Sequence, residues 1–169
     1  MQGDPRVLEY LNEQLTAELT AINQYFLHAK MQANWGYTRL ADHTRYESID
    51  EMRHAEELTE RLLFLDGLPN YQRLFPLRIG QTVPEQFQAD MAVEVEAVQR
   101  LRAGSAYMRE VGDLTSAALF ERILVDEEHH LDYLETQLQL ITSLGEKLYL
   151  AQLVAHPSPG AQDRPDRPD

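Results

Sequence analysis

The chain contains no cysteine. That single absence excludes disulfides, thiolate nucleophiles, iron–sulfur clusters and cysteine-held zinc. Any bound metal must be held by carboxylate, imidazole or thioether. Long apolar runs are missing as well. The longest are of the kind Leu62-Leu63-Phe64-Leu65, far short of the roughly 20 residues that cross a bilayer, so no membrane partner is expected. The opening stretch Met1-Gln2-Gly3-Asp4-Pro5-Arg6 lacks the basic and then apolar regions of a secretion signal, which makes the cytoplasm the expected location. Positive charge is scarce: 15 bases, among them only two lysines, Lys30 and Lys147, stand against 28 acids, for a net charge of −13. This argues against nucleic acid as a partner and suits a protein that attracts cations or stays soluble at high local concentration.

Proline is absent between Pro84 and Pro157, and where proline and glycine do occur they divide the 169 residues into segments. Pro5 opens the first segment and Gly36 interrupts it. Gly67-Leu68-Pro69-Asn70 closes the second, Gly80 and Pro84 precede the third, Gly112 ends it, and Gly145 ends the fourth. Each long segment carries a stripe at alternating steps of three and four, the signature of a packed helix. The first reads Leu11, Leu15, Glu18, Ile22, Tyr25, Ala29; the second Glu47, Glu51, His54, Leu58, Leu62, Leu65. The third reads Phe87, Met91, Glu94, Val98, Leu101, Ser105, Met108; the fourth Phe120, Ile123, Glu127, His130, Leu134, Leu138, Ile141. Four such helices predict an all-α four-helix bundle.

The short glycine joints make helices one and two, and three and four, antiparallel hairpins. The connection from Gly67 to Val83 is different. Extended, it reaches about 56 Å, against about 42 Å for a 28-residue helix, so it can run the length of the bundle and leave helices two and three parallel. The predicted architecture is therefore an all-α four-helix bundle with one long crossover. Residues 146–155, with Leu148, Tyr149, Leu150, Leu153 and Val154, read as a short fifth helix that must dock to be stable. This sets the domain at 1–155. Residues 156–169 hold four of the eight prolines in an acid–base–proline pattern and read as a flexible tail.

The stripes contain an anomaly. Glu18, Glu51, His54, Glu94, Glu127 and His130 occupy core-facing positions, where each unpaired carboxylate would cost several kcal/mol. Glu18 and Glu51 are 33 residues apart, as are Glu94 and Glu127, and an offset of 76 superimposes one hairpin's set on the other's. Each hairpin thus supplies a Glu and a Glu-x-x-His, whose i and i+3 side chains share a face. The two Glu-x-x-His matches are the only ones in the chain. A solvated helix face accounts for one such match; two at equal offset, each with a core-facing partner Glu, match the donor set of dinuclear carboxylate bundles. Four carboxylates and two imidazoles favour iron or manganese, and iron is the expected metal. His129 turns away from the stripe, as a surface or supporting residue; His28 and His43 lie off the stripes and read as structural. Tyr25, two turns beyond Glu18, is either core filler or a hydroxyl close to the metals.

The stretches Tyr10-Leu11-Asn12, Ala21 to Ala29, Asn34-Trp35-Gly36, Glu47 to Ala55, Phe64 to Asn70 and Asp126-Glu127-Glu128-His129-His130 resemble bacterioferritin over roughly residues 1–155. The resemblance implies a 24-subunit shell, built of dimers, that oxidises Fe²⁺ with O₂ or H₂O₂ at an intrasubunit di-iron site and stores the ferric product inside. It implies that Glu51 and Glu127 bridge the irons, Glu18 and His54 complete one coordination shell, and Glu94 and His130 the other. It implies haem b held axially by Met52 from two subunits; as a lone residue, Met52 would read as packing. A reductant of ferredoxin type for iron release follows from the same likeness, and the fifth helix would line a symmetry axis. Tyr46 departs from relatives that place a His there to hold iron, with the position of Asp50, on the cavity wall, which weakens the case for that inner site. Two other readings compete. A rubrerythrin-like di-iron oxidase or peroxidase is disfavoured because its extra iron needs thiolates; a non-enzymatic scaffold would use the polar core only to fix helix register.

Overall fold

In the computed structural model, residues 1–154 are described, and they form five helices: α1 (Pro5–Asn34), α2 (Thr38–Phe64), α3 (Val83–Glu110), α4 (Leu114–Leu144) and α5 (Glu146–Ala151). No strand occurs among the described residues, and no helix among them is long and apolar enough to cross a membrane. The expected tail at 156–169 lies outside the described residues.

Local chemistry sets most helix starts. The Asp4 carboxylate accepts from the amides of Arg6 and Val7 and caps α1, with Pro5 in the first turn. Thr82 caps α3 with Pro84 in its first turn, and Asp113 caps α4. The hairpin turns pivot on Gly36 (φ +90°) and Gly112 (φ +81°), in the left-handed region that other residues enter only at a cost.

The topology follows from contacts between elements. Gly3 N–H bonds to the Leu65 carbonyl at 3.0 Å, so α1 begins where α2 ends. The crossover, residues 65–82, then climbs α1. Asn12 meets Leu68, Thr20 meets Phe75, Gln24 meets Arg78 and His28 meets Gly80. By Gly80 the chain has reached the far end of α1, so α3 starts beside the start of α2 and the two run parallel.

Two apolar clusters fill the bundle ends. One joins Val7, Leu11, Leu15, Leu58, Leu62, Leu101, Phe120 and Ile123; the other joins Leu40, Val83, Phe87, Leu134 and Tyr149. Burial of this kind contributes about 25 cal/mol per Å² of apolar surface. The layer between the clusters is polar.

The fifth helix is shorter than expected. It ends at Ala151, because the chain tightens there: the amides of Gln152 and Leu153 bond back to the carbonyls of Tyr149 and Leu150. The next carbonyls are drawn to the start of α2, where the Arg39 amide bonds to Leu153 O at 3.1 Å and its guanidinium to Gln152 O at 3.2 Å. This contact supplies a partner to the α2 N-terminus, whose N-cap residue, Tyr37, makes no side-chain cap. Tyr149 docks the segment, buried edge-on to Phe87 with its hydroxyl 2.8 Å from Gln137.

Candidate metal centre

The polar layer brings one or two side chains from each long helix to a single point. Glu18, Glu51, Glu94, Glu127, His54 and His130 are all buried, with at most 8% of their surface exposed. Their donor atoms form two groups. Glu18, Glu51, His54 and Glu127 each offer an atom within 4.8 Å of one another, and so do Glu51, Glu94, Glu127 and His130. The groups overlap in Glu51 and Glu127, the pair that the resemblance puts between the metals. The overlap follows from placement: Glu51 on α2 and Glu127 on α4 face each other across two antiparallel helices, with Glu18 and Glu94 on either side.

Around the ring, His54 Nδ1 lies 3.3 Å from Glu51 Oε2 and 3.2 Å from Glu127 Oε1. His130 Nδ1 lies 2.9 Å from Glu94 Oε1, 3.6 Å from Glu47 and 3.8 Å from Glu51. Two of these inward atoms, Glu127 Oε1 and His130 Nδ1, are buried without a hydrogen-bond partner of acceptable angle. Buried polar atoms are rarely left unpaired, and a cation at the centre would satisfy both. The donor set therefore fits a metal pair of the oxygen- and nitrogen-loving kind.

Electrostatics points the same way. Burial, followed by repulsion from Glu127, Glu18 and Glu94, pushes the Glu51 carboxyl well above the usual range. Burial and then Glu94 and Glu18 do the same to Glu127. Burial opposes the charged form of Glu94 too, but the charge of His130 outweighs it and holds Glu94 low. Burial would lower His130, yet the Glu94 charge overrides it and lifts the imidazole to about 9. Without metal the layer is thus a Glu94–His130 ion pair beside two carboxyls that resist ionisation. Cations binding here would displace protons from both kinds of group.

Outer contacts orient these side chains. The Gln14 amide donates to Glu18 Oε1 at 2.7 Å. His54 Nε2 lies 3.3 Å from Asp126. The Tyr25 hydroxyl donates to Glu94, and its ring packs edge-on to His130 with centroids 5.3 Å apart; burial and then Glu94 push the phenol well above its ordinary value. A cleft of about 400 Å³, lined by Glu47, Asp50, Asp126, His129 and Tyr133, opens onto Glu51, His54 and His130. Exposed His129 sits on its wall.

Sequence reasoning missed the supports Gln14, Glu47 and Asp126. Their only signals were spacing (Gln14 four residues before Glu18, Glu47 four before Glu51) and the repeat of Asp before each Glu-x-x-His. His28 lies off the core stripe in sequence yet is fully buried, paired with Asp90 at 2.9 Å and accepting from the Gly80 amide at 3.1 Å, and so it clamps the crossover onto α1 and α3. Met52 stands apart from the centre on the outer face of α2, 57% exposed.

A four-helix bundle with a parallel crossover and a carboxylate–histidine layer of this make-up is a ferritin-like protein. The ferritin-like domain model matches residues 8–144. The chain is 66% identical over 157 residues to bacterioferritin BfrA of Mycobacterium tuberculosis, spanning 93% of this chain and 99% of that one. It is 67% identical over 159 residues to bacterioferritin of Streptomyces coelicolor, spanning 94% and 95%, and 46% identical over 162 residues to that of Brucella melitensis, spanning 96% and 100%. The solved structure of M. tuberculosis BfrA superimposes with a TM-score of 0.91, at 66% identity, covering 92% of this chain and 98% of that one. The chain belongs to the bacterioferritin family.

Proposed function

We propose that this chain is an iron-storage ferroxidase working in the cytoplasm, one of 24 copies that close into a hollow shell. The observation that carries this is the pair of donor groups sharing Glu51 and Glu127: it offers two adjacent cation positions with two carboxylates common to both. Fe²⁺ enters as substrate. Glu18 and His54 complete one position, Glu94 and His130 the other. Two Fe²⁺ surrender one electron each, which with two protons reduce O₂ to H₂O₂, or H₂O₂ to two waters. Carboxylate oxygens favour the ferric product, and Tyr25 keeps Glu94 oriented through the change of charge. The oxidised iron then moves on to the store.

Met52 supports haem binding. Its thioether points away from the carboxylate layer, and thioether sulfur suits haem iron better than it suits a hard, oxygen-rich site. Ile49, Phe26 and Leu27 are also exposed, at 39%, 47% and 42%. Phe26 and Ile49 lie on neighbouring helices joined at that level by the Ser48 hydroxyl's bond to the Ile22 carbonyl. An apolar face around an exposed methionine fits a flat macrocycle held between this chain and a second copy. When bound, the haem supplies an electron path toward the stored iron, for which a ferredoxin-type protein is the reductant.

The test is to add Fe²⁺ to the metal-free protein without oxygen and then admit air, following near-ultraviolet absorbance. Two Fe²⁺ bound per chain, then ferric absorbance rising far faster than in protein-free buffer, is the expected result. Oxidation at the buffer rate overturns the ferroxidase reading. Sedimentation or light scattering should give an assembly of about half a megadalton, from 19.5 kDa per chain.

A further inference from the structure

The 76-residue offset that superimposes the two ligand sets does not superimpose what stands behind them. Gln14 is fully buried at a position one turn before Glu18, flanked by the core residues Leu11 and Leu15. A leucine would pack there without the cost of burying an amide. Both ends of the Gln14 amide are instead used: Nε2 donates to Glu18 Oε1 at 2.7 Å, and Oε1 accepts from Arg100 Nη1 at 3.4 Å. Arg100 in turn lies over the Phe75 ring, 5.2 Å from its centroid, so a chain of contacts runs from the crossover through α3 to the ligand on α1. The equivalent place in the other hairpin is Asp90. It turns to Gln24 and His28, leaving Glu94 to the Tyr25 phenol. The imidazoles differ in the same sense. His54 has Asp126 at its outer nitrogen, while every carboxylate contact of His130 is at Nδ1, the atom that faces the centre.

We infer that Gln14 is a positioning residue for the Glu18 carboxylate, backed by Arg100, and that it sets the cation affinity of the Glu18/His54 position, whereas Glu94 takes its hydrogen bond from Tyr25. The inference rests on the dinuclear reading above. A carboxylate already turned by a donated hydrogen bond loses less orientational freedom when it takes a cation, and support of this kind changes metal affinity about 10–100-fold.

The experiment is an anaerobic titration of the metal-free full chain with Co²⁺, read by its visible ligand-field bands, in wild type and in Gln14→Met. Methionine keeps the length and volume of the side chain but donates nothing. Wild type is expected to take two Co²⁺, and Gln14→Met to weaken one of the two binding events about tenfold or more while the other keeps its affinity. The same change placed on Glu94→Ala, where only the Glu18/His54 position keeps its full donor set, shifts the whole remaining curve. If Gln14 serves packing alone, Gln14→Met moves the melting temperature and leaves both Co²⁺ steps where they were, and that result overturns the inference. A wild-type chain that takes up no Co²⁺ overturns the dinuclear reading itself.

Discussion

The α1–α2 hairpin and the α3–α4 hairpin supply the same chemistry at the same spacing, yet their surroundings diverge position by position. Glu18 is held by an amide and Glu94 by a phenol. The residue after the second glutamate is Met52 in one hairpin, exposed on an apolar face; in the other it is Glu128, tied to Arg102 at 2.7 Å on the surface. The turns pivot on equivalent glycines, Gly36 and Gly112. The residue after Gly112, Asp113, caps its helix, while the one after Gly36, Tyr37, makes no side-chain cap. A repeat can therefore preserve a metal-binding geometry while every residue one layer out takes a different task. The constraint is on the donor atoms and their mutual distances; the outer partners need only be compatible with burial.

The largest expected effect falls where the hairpins are most alike. Glu127→Ala or Glu51→Ala removes a donor common to both cation positions, so rapid Fe²⁺ oxidation should drop by more than the 10–100-fold typical of losing an outer support. The proposed shell should still assemble. Metal-free stability should change little or rise, because each of these carboxyls is destabilised by burial and by its acidic neighbours. Stopped-flow oxidation rates and a thermal melt decide the matter. A variant that oxidises Fe²⁺ at the parental initial rate shows that the shared pair is not the reaction site.

Next comes the outer face, where the hairpins differ. Met52→Leu preserves volume and apolarity, so folding stability should change by less than about 1.5 kcal/mol, and Fe²⁺ oxidation should proceed at the parental rate. Haem should be lost completely, since the thioether is the one axial donor each chain would offer. A variant that keeps a full Soret band returns Met52 to packing.

The smallest effect separates the turns. Asp113 accepts from the Ser116 amide and hydroxyl and from the Arg61 guanidinium, at 2.7 to 3.0 Å. Burial opposes its charge, but the Ser116 hydrogen bonds and then Arg61 outweigh burial and hold the carboxyl below the usual range. Asp113→Ala should cost about 1–2 kcal/mol. The folded-state value is depressed, so this contribution is fully present above the ordinary aspartate range near pH 4. It shrinks as the pH falls through the folded-state value. Chemical denaturation of both proteins at pH 7 and at pH 3 tests the sign: the gap should be wide at the first and narrow at the second.

The helices, the hairpins, the parallel crossover and the inward face of the six candidate donors were all legible in the chain. All of these depend on periodicity and spacing within a segment, or on the length of a connection, and a helix converts residue number directly into direction. The pairing of two Glu-x-x-His motifs at a common offset was legible for the same reason. Contacts between segments emerged with the packing of the helices. Gln14 meets Arg100, His54 meets Asp126, His28 meets Asp90 and Gly80, and the carbonyls at 152–153 meet Arg39. These partners are 52 to 114 residues apart, and nothing in the local pattern of either one names the other. Periodicity marks a residue as inward or outward. It leaves the choice of partner among the inward polar groups to the packing of the helices, because a buried amide, imidazole or carboxylate takes whichever donor or acceptor the bundle brings within about 3 Å.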